Sequence, residues 1–162
     1  MLSLLIRNAR GFLHQPAFVQ AWFVPIWLAL GAAGILVHLF PFRRLVSGLG
    51  VPVGVASWVP LVTEQQRHRA RLISHVVRLA ARHTPWRSNC LVQAVVARAM
   101  LGMYGVPYAL YFGVMRGSNA REVKAHAWVA AGNVRVTGGC GFGRFTVTGC
   151  FVASRLQSAF EV

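Results

Sequence analysis

Two side chains in this sequence are of a type, and in a setting, that could do nucleophilic chemistry. Cys90 lies in "PWRSNCLVQAVVARAM", where a turn gives way to an apolar helical run, and His126 lies in "AHAWV", an apolar segment of strand character. A cysteine in the first turn of a helix meets unpaired backbone N–H groups and the positive end of the macrodipole. That setting favours an anion, and thiolate is the nucleophilic form of the side chain. The thiol also needs a base. Of the six histidines (His14, His38, His68, His75, His83 and His126), the last stands out, because a polar ring in an apolar strand must be satisfied by a partner. Two readings stay open on spacing alone. One is a nucleophile and its general base. The other is a small core thiol with a histidine bonded to a backbone carbonyl.

The elements that would position this pair follow from periodicity. "EQQRHRARLISHVVRLAARH" places Leu72, Ile73, Val76, Val77, Leu79 and Ala80 opposite Arg67, Arg69, Arg71, Arg78 and Arg82, which predicts an amphipathic helix with a basic outer face. Pro85 stops it. Ser88 or Asn89 can cap the next helix, which runs from Cys90 to Tyr104 and ends at Gly105 with Pro107 beyond. Leu91, Val92, Val95, Val96, Ala99, Met100 and Met103 make that helix central and largely buried. A strand follows from Tyr108 to Val114, then a polar loop, then a hairpin turning at Gly132 and Asn133, and a last strand from Phe145 to Val152. Helices first and an antiparallel sheet afterwards define an α+β domain.

The amino-terminal third is different in kind. From Ala17 to Phe40 the chain carries no formal charge, between Arg7 and Arg10 before and Arg43 and Arg44 after. Its length allows a membrane span, while Pro25, Gln20 and His38 argue for a pair of peripheral or buried helices. The stretch from Pro41 to Pro60, with Gly48, Gly50, Pro52 and Gly54, is punctuated like a connector. The chain accordingly divides into an apolar helical segment, 1–60, and a catalytic-type core, 61–162.

Composition narrows the function classes. Hydrophobic residues make up 56% of the chain and charged residues 12%, which excludes a disordered protein. Lys and Arg number 17 against three acids, Glu64, Glu122 and Glu161, with no aspartate, so the net charge of +14 attracts anionic partners. No aromatic-and-basic surface pattern or module points to nucleic acid. Cys90, Cys140 and Cys150 are too few for a disulfide framework or a four-ligand zinc site, and Cys140 and Cys150 read as small apolar residues near strands of a cytoplasmic protein. No cofactor motif is present, since "GGCGFG" lacks the strand-to-helix setting of a phosphate cradle.

The segments "PFRRL", "PWRSNCLVQAVVARAMLGMYGVPYALYFGV" and "AHAWV" resemble the lasso-peptide biosynthesis B protein, in its transglutaminase-like cysteine-peptidase portion, from about residue 17 to near the carboxy terminus. The resemblance implies a papain/transglutaminase-like fold in which a Cys-bearing helix packs on a small antiparallel sheet. It implies Cys90 as nucleophile, His126 as general base, and removal of a leader from a ribosomally made precursor peptide. Backbone N–H groups at the helix start, that of Cys90 among them, would receive the oxyanion. The family's third member, an aspartate, falls on Gly138. Asn133, Thr137, a backbone carbonyl or a glutamate would have to orient the imidazole instead, and an inert relative of the enzyme is one outcome of the loss. The resemblance also implies a separate leader-recognition protein and an ATP-dependent lasso cyclase as partners. An acyl-transferring enzyme and a membrane-associated scaffold are the alternatives.

Overall fold

The computed structural model describes residues 11–46, 48–55, 58–117, 119, 122–139 and 141–153, so Cys140 and Glu161 lie outside the described residues. Helix α1, Ala17–Leu39, is one continuous helix and not the pair that Pro25 suggested. The carbonyl that loses its donor at Pro25 is that of Ala21, an exposed residue, so the gap falls on the open side of the helix. The stretch expected to be a connector holds a short helix α2, Phe42–Val46, and a strand β1, Val51–Pro52, which pairs with Val152 and Phe151. A two-residue edge strand containing proline is too short to leave a sequence period.

Helix α3, Glu64–Arg82, opens on a reciprocal capping box: Gln66 N–H donates to Thr63 Oγ1 at 3.3 Å and Thr63 N–H donates to Gln66 Oε1 at 3.0 Å. Its buried face is Ala70, Ile73, Ser74, Val76, Val77 and Ala80, in agreement with the predicted period. Helix α4, Cys90–Met103, is capped by Asn89, whose Oδ1 accepts from Val92 N–H at 3.0 Å. Ser88 is not the cap; its Oγ is buried without a hydrogen-bond partner among the described residues. Ala99 and Met103, expected in the core, are exposed, and the buried face runs instead through Val92, Ala94, Val96, Ala97, Met100 and Leu101. The helix is apolar nearly all round, so composition could not say which face turns to α1, α3 and the sheet.

Strands β2 (Ala109–Arg116), β3 (Val123–Ala131), β4 (Val134–Thr137) and β5 (Thr146–Val152), with a short helix α5 (Gly141–Arg144) before β5, complete the order. Pairing is antiparallel throughout, in the order β1-β5-β2-β3-β4. Because side chains alternate along a strand, the sheet presents two faces. Leu110, Ala127, Val129, Ala131 and Val136 join the helices in one core with Val19, Ile26, Leu30, Ile73, Val77, Val92 and Leu101. Ala109, Tyr111, Trp128, Ala130, Cys150 and Val152 form a second cluster, against which Val51, Val53 and Phe145 pack. Edge strand β4 is covered by α3: Arg78 donates to the Arg135 carbonyl at 2.8 Å and Ser74 Oγ to that of Val136 at 2.8 Å.

Removing the cap of α4 gives a first expected result. Asn89→Ala strips the acceptor from Val92 N–H, so unfolding free energy should fall by about 1 kcal/mol and thermal unfolding by roughly 3 °C, read by calorimetry.

Candidate active site

Cys90 enters the site because the Asn89 cap fixes the first turn of α4 and places its first residue at the rim of the sheet. It is a free thiol, half-buried, and packs at the edge of the main core. His126 enters from β3, where it pairs in register with Gly113 of β2. Both residues line one cavity of about 530 Å³, together with Phe42, Leu91, Phe112 and Phe151 among its apolar walls. The two residues that the sequence singled out thus line one cavity, but no hydrogen bond among the described residues joins them, and the His126 ring lies with Trp128 and Phe145 while Cys90 packs against the helix-side core.

The imidazole of His126 is held on two sides. Its ring stacks on Trp128 at 5.9 Å and on Phe145 at 4.8 Å between centroids. Its Nε2 lies 2.8 Å from the carbonyl oxygen of Gly138. A carbonyl can only accept, so in the neutral ring this contact puts the proton on Nε2 and leaves the lone pair on Nδ1. Gly138, the position where the lasso-type resemblance implies an aspartate, thus supplies its backbone to the histidine.

The other candidates for that orienting role lie elsewhere. Asn133 is exposed in the hairpin turn. Thr137 is buried, but its Oγ1 has no hydrogen-bond partner among the described residues. Glu64 pairs with Arg67 at 2.6 Å and Glu122 with Lys124 at 3.6 Å. Glu161 falls outside the described residues.

Two glycines make room for this arrangement. Gly138 has φ +76°, and a Cβ there would lie 2.3 Å from Trp128 Cβ and 2.8 Å from the Ala127 carbonyl. At Gly113 a Cβ would stand 2.8 Å from the Trp128 ring and 2.9 Å from the Thr146 carbonyl. Trp128, whose indole stacks on His126, occupies the space those side chains would take, with its ring at Gly113 and its Cα and Cβ at Gly138. Trp128 stands two residues beyond His126 on one strand, and the two-residue period of "HAW" was the available signal for a shared face. Phe42 and Phe145 left no such signal, since Phe42 reaches the site from a short helix and Phe145 from the bend before β5, both distant in sequence from His126.

Cys150 shows what a structural thiol looks like here. It is 1% exposed, and burial pushes it up to about 11, offset in part by hydrogen bonds with the Trp58 backbone and the Tyr111 hydroxyl. Tyr111, stacked on Trp128 and donating to the Trp58 carbonyl, is also raised, by burial and then by Cys150. Alkylation by a thiol reagent near neutral pH, mapped by peptide mass spectrometry, should label Cys90 and leave Cys150 unmodified until the protein unfolds.

Cys150 also predicts an alkaline dependence. Its folded value lies above the ordinary 9.0, so the folded state holds the thiol proton more tightly than the unfolded chain does. The associated stability is complete below about pH 9 and declines as pH rises through about 11. Urea midpoints should fall more between those limits for the wild type than for Cys150→Ala.

The protein is of the α+β class, with a helix-capped cysteine and a carbonyl-anchored histidine lining one cavity. Residues 36–150 match the transglutaminase-like superfamily, and the chain belongs to it. That superfamily includes cysteine peptidases and acyltransferases, and its members are typically cysteine-dependent enzymes. Neither the curated proteins nor the solved structures yield a match to the chain.

Proposed function

We propose that this chain is a cysteine peptidase that removes the leader from a lasso-peptide precursor, with Cys90 as nucleophile and His126 as general base. The observation that carries the reading is the shared cavity of Cys90 and His126, with the imidazole tautomer fixed by Gly138. The superfamily match and the lasso-type segments around Cys90 and His126 support it.

Cys90 Sγ attacks the carbonyl carbon of the scissile peptide bond while His126 Nδ1 takes the thiol proton. The new S–C bond gives a tetrahedral oxyanion, with backbone N–H groups at the start of α4 as its donors. Collapse breaks the C–N bond, and the imidazolium returns the proton to the leaving amine of the core peptide. Water then adds to the thioester, its proton passing through His126 to the departing thiolate. The products are a leader carboxylate and a core peptide with a free amino terminus.

In this reading the partners are a separate leader-recognition protein and an ATP-dependent lasso cyclase, and the chain itself uses no cofactor. The site of action is the cytoplasm. The test is incubation of precursor, recognition protein and this chain, with products read by mass spectrometry. A leader and core whose masses sum to precursor plus one water support the peptidase. A leader bearing an added amine assigns acyl transfer instead, and an intact precursor assigns a scaffold.

A further inference from the structure

Helix α1 is apolar on both sides, but only one side has a partner among the described residues. Val19, Ile26, Leu30 and Ala33 enter the core against α3 and α4. The opposite side carries Ala21, Val24, Leu28, Ala32, Ile35 and Leu39 in steps of three and four residues, all exposed. This stripe is about 27 Å long at 1.5 Å per residue and contains no polar side chain. Leu28, Ile35 and Leu39, 59%, 61% and 70% exposed, wall a largely apolar groove of about 840 Å³ with Trp27, Trp86, Arg87 and His38, whose Nδ1 lies 2.9 Å from the Gly34 carbonyl oxygen.

The surroundings of the stripe are cationic. Residues 1–63 contain Arg7, Arg10, Arg43 and Arg44 and no carboxylate. Arg43 is exposed on α2, just beyond the end of the stripe, next to Phe42, and Arg87 lies in the groove itself. Phe40 and Phe42, 41% and 47% exposed, project beside Leu39, in the manner of aromatic residues at a headgroup boundary.

We propose that α1 lies in the plane of an anionic bilayer surface, with its outward stripe in the acyl boundary and Arg43 and Arg87 at the lipid phosphates. A membrane span would require α1 to withdraw Val19, Ile26 and Leu30 from the core, so in-plane binding is the mode compatible with this fold. Phe42 lines the cavity of Cys90 and His126, meeting Phe112 edge-on at 5.2 Å, so one wall of that cavity belongs to the short helix that carries Arg43. The placement holds whichever chemistry Cys90 performs.

The experiment is cosedimentation of the full chain with vesicles of phosphatidylcholine alone or mixed with phosphatidylserine. The wild type should partition onto the mixed vesicles, and high salt should release it. The triple variant Leu28→Asp, Ile35→Asp, Leu39→Asp should bind at least about a hundredfold more weakly, and Arg43→Gln with Arg87→Gln roughly tenfold more weakly, both with unchanged circular dichroism. Equal binding to neutral vesicles, no binding to either, or unaltered binding of the aspartate variant overturns the proposal. So does salt-resistant insertion, or a vesicle-free dimer that the same aspartates dissociate, which would make a second copy the occupant.

Discussion

On the proposed peptidase mechanism, Cys90→Ala and His126→Ala are each expected to lower the rate of leader release by on the order of 10³- to 10⁴-fold, and the double variant no further. The reason lies in the division of labour between the two side chains. Without Cys90 there is no sulfur to form the thioester; without His126 the thiol and the departing amine lose their proton carrier. Removing either disables the same step, so the losses do not add. Residual turnover would come from binding and from backbone donors at the start of α4.

Neither variant should unfold the protein. Cys90 lies at the edge of the core and His126 is half-buried on a strand anchored on both sides by β2 and β4. Thermal unfolding measured beside the mass-spectrometric assay separates loss of chemistry from loss of fold. A double variant ten times slower than either single variant would show that the two residues act independently, against the mechanism.

Gly138→Asp is expected to destabilise the protein by roughly 2 kcal/mol or more and to reduce the proposed cleavage, although it installs the residue that the lasso-type resemblance implies at this position. The backbone there has φ +76°, and the new Cβ would meet Trp128 Cβ at 2.3 Å. Relief requires the Trp128 strand or the Gly138 loop to move. Either movement breaks the contact between the Gly138 carbonyl and His126 Nε2 and disturbs the ring stack. Urea unfolding and the cleavage assay on this one variant check both halves. Higher activity in Gly138→Asp would show that a carboxylate outperforms the carbonyl here.

Much of the scaffold was legible from the residue pattern. The apolar face of α3, the Gly105 break after α4, and the hairpin at Gly132 and Asn133 are written in local spacing, because each depends on side chains within a few turns or one register. The stop at Pro85 and an Asn89 cap belong to the same class. α1 was legible as apolar, but not as continuous through Pro25, because tolerance of a proline depends on which side of the helix faces outward.

The residue types of the site were likewise visible, since a thiol at a helix start and an imidazole in an apolar strand each violate the local pattern. Sequence by itself determined the α+β order, the candidates Cys90 and His126, and the absence of aspartate from any catalytic role. Tertiary structure decided what stands in its place. A backbone carbonyl is common to every residue and leaves no mark in sequence, and that of Gly138 reaches His126 because a bulky Trp128 and two side-chain-free positions shape the loop around it. It also decided that one face of α1 is core and the other open, since both faces are equally apolar and only packing against α3 and α4 distinguishes them.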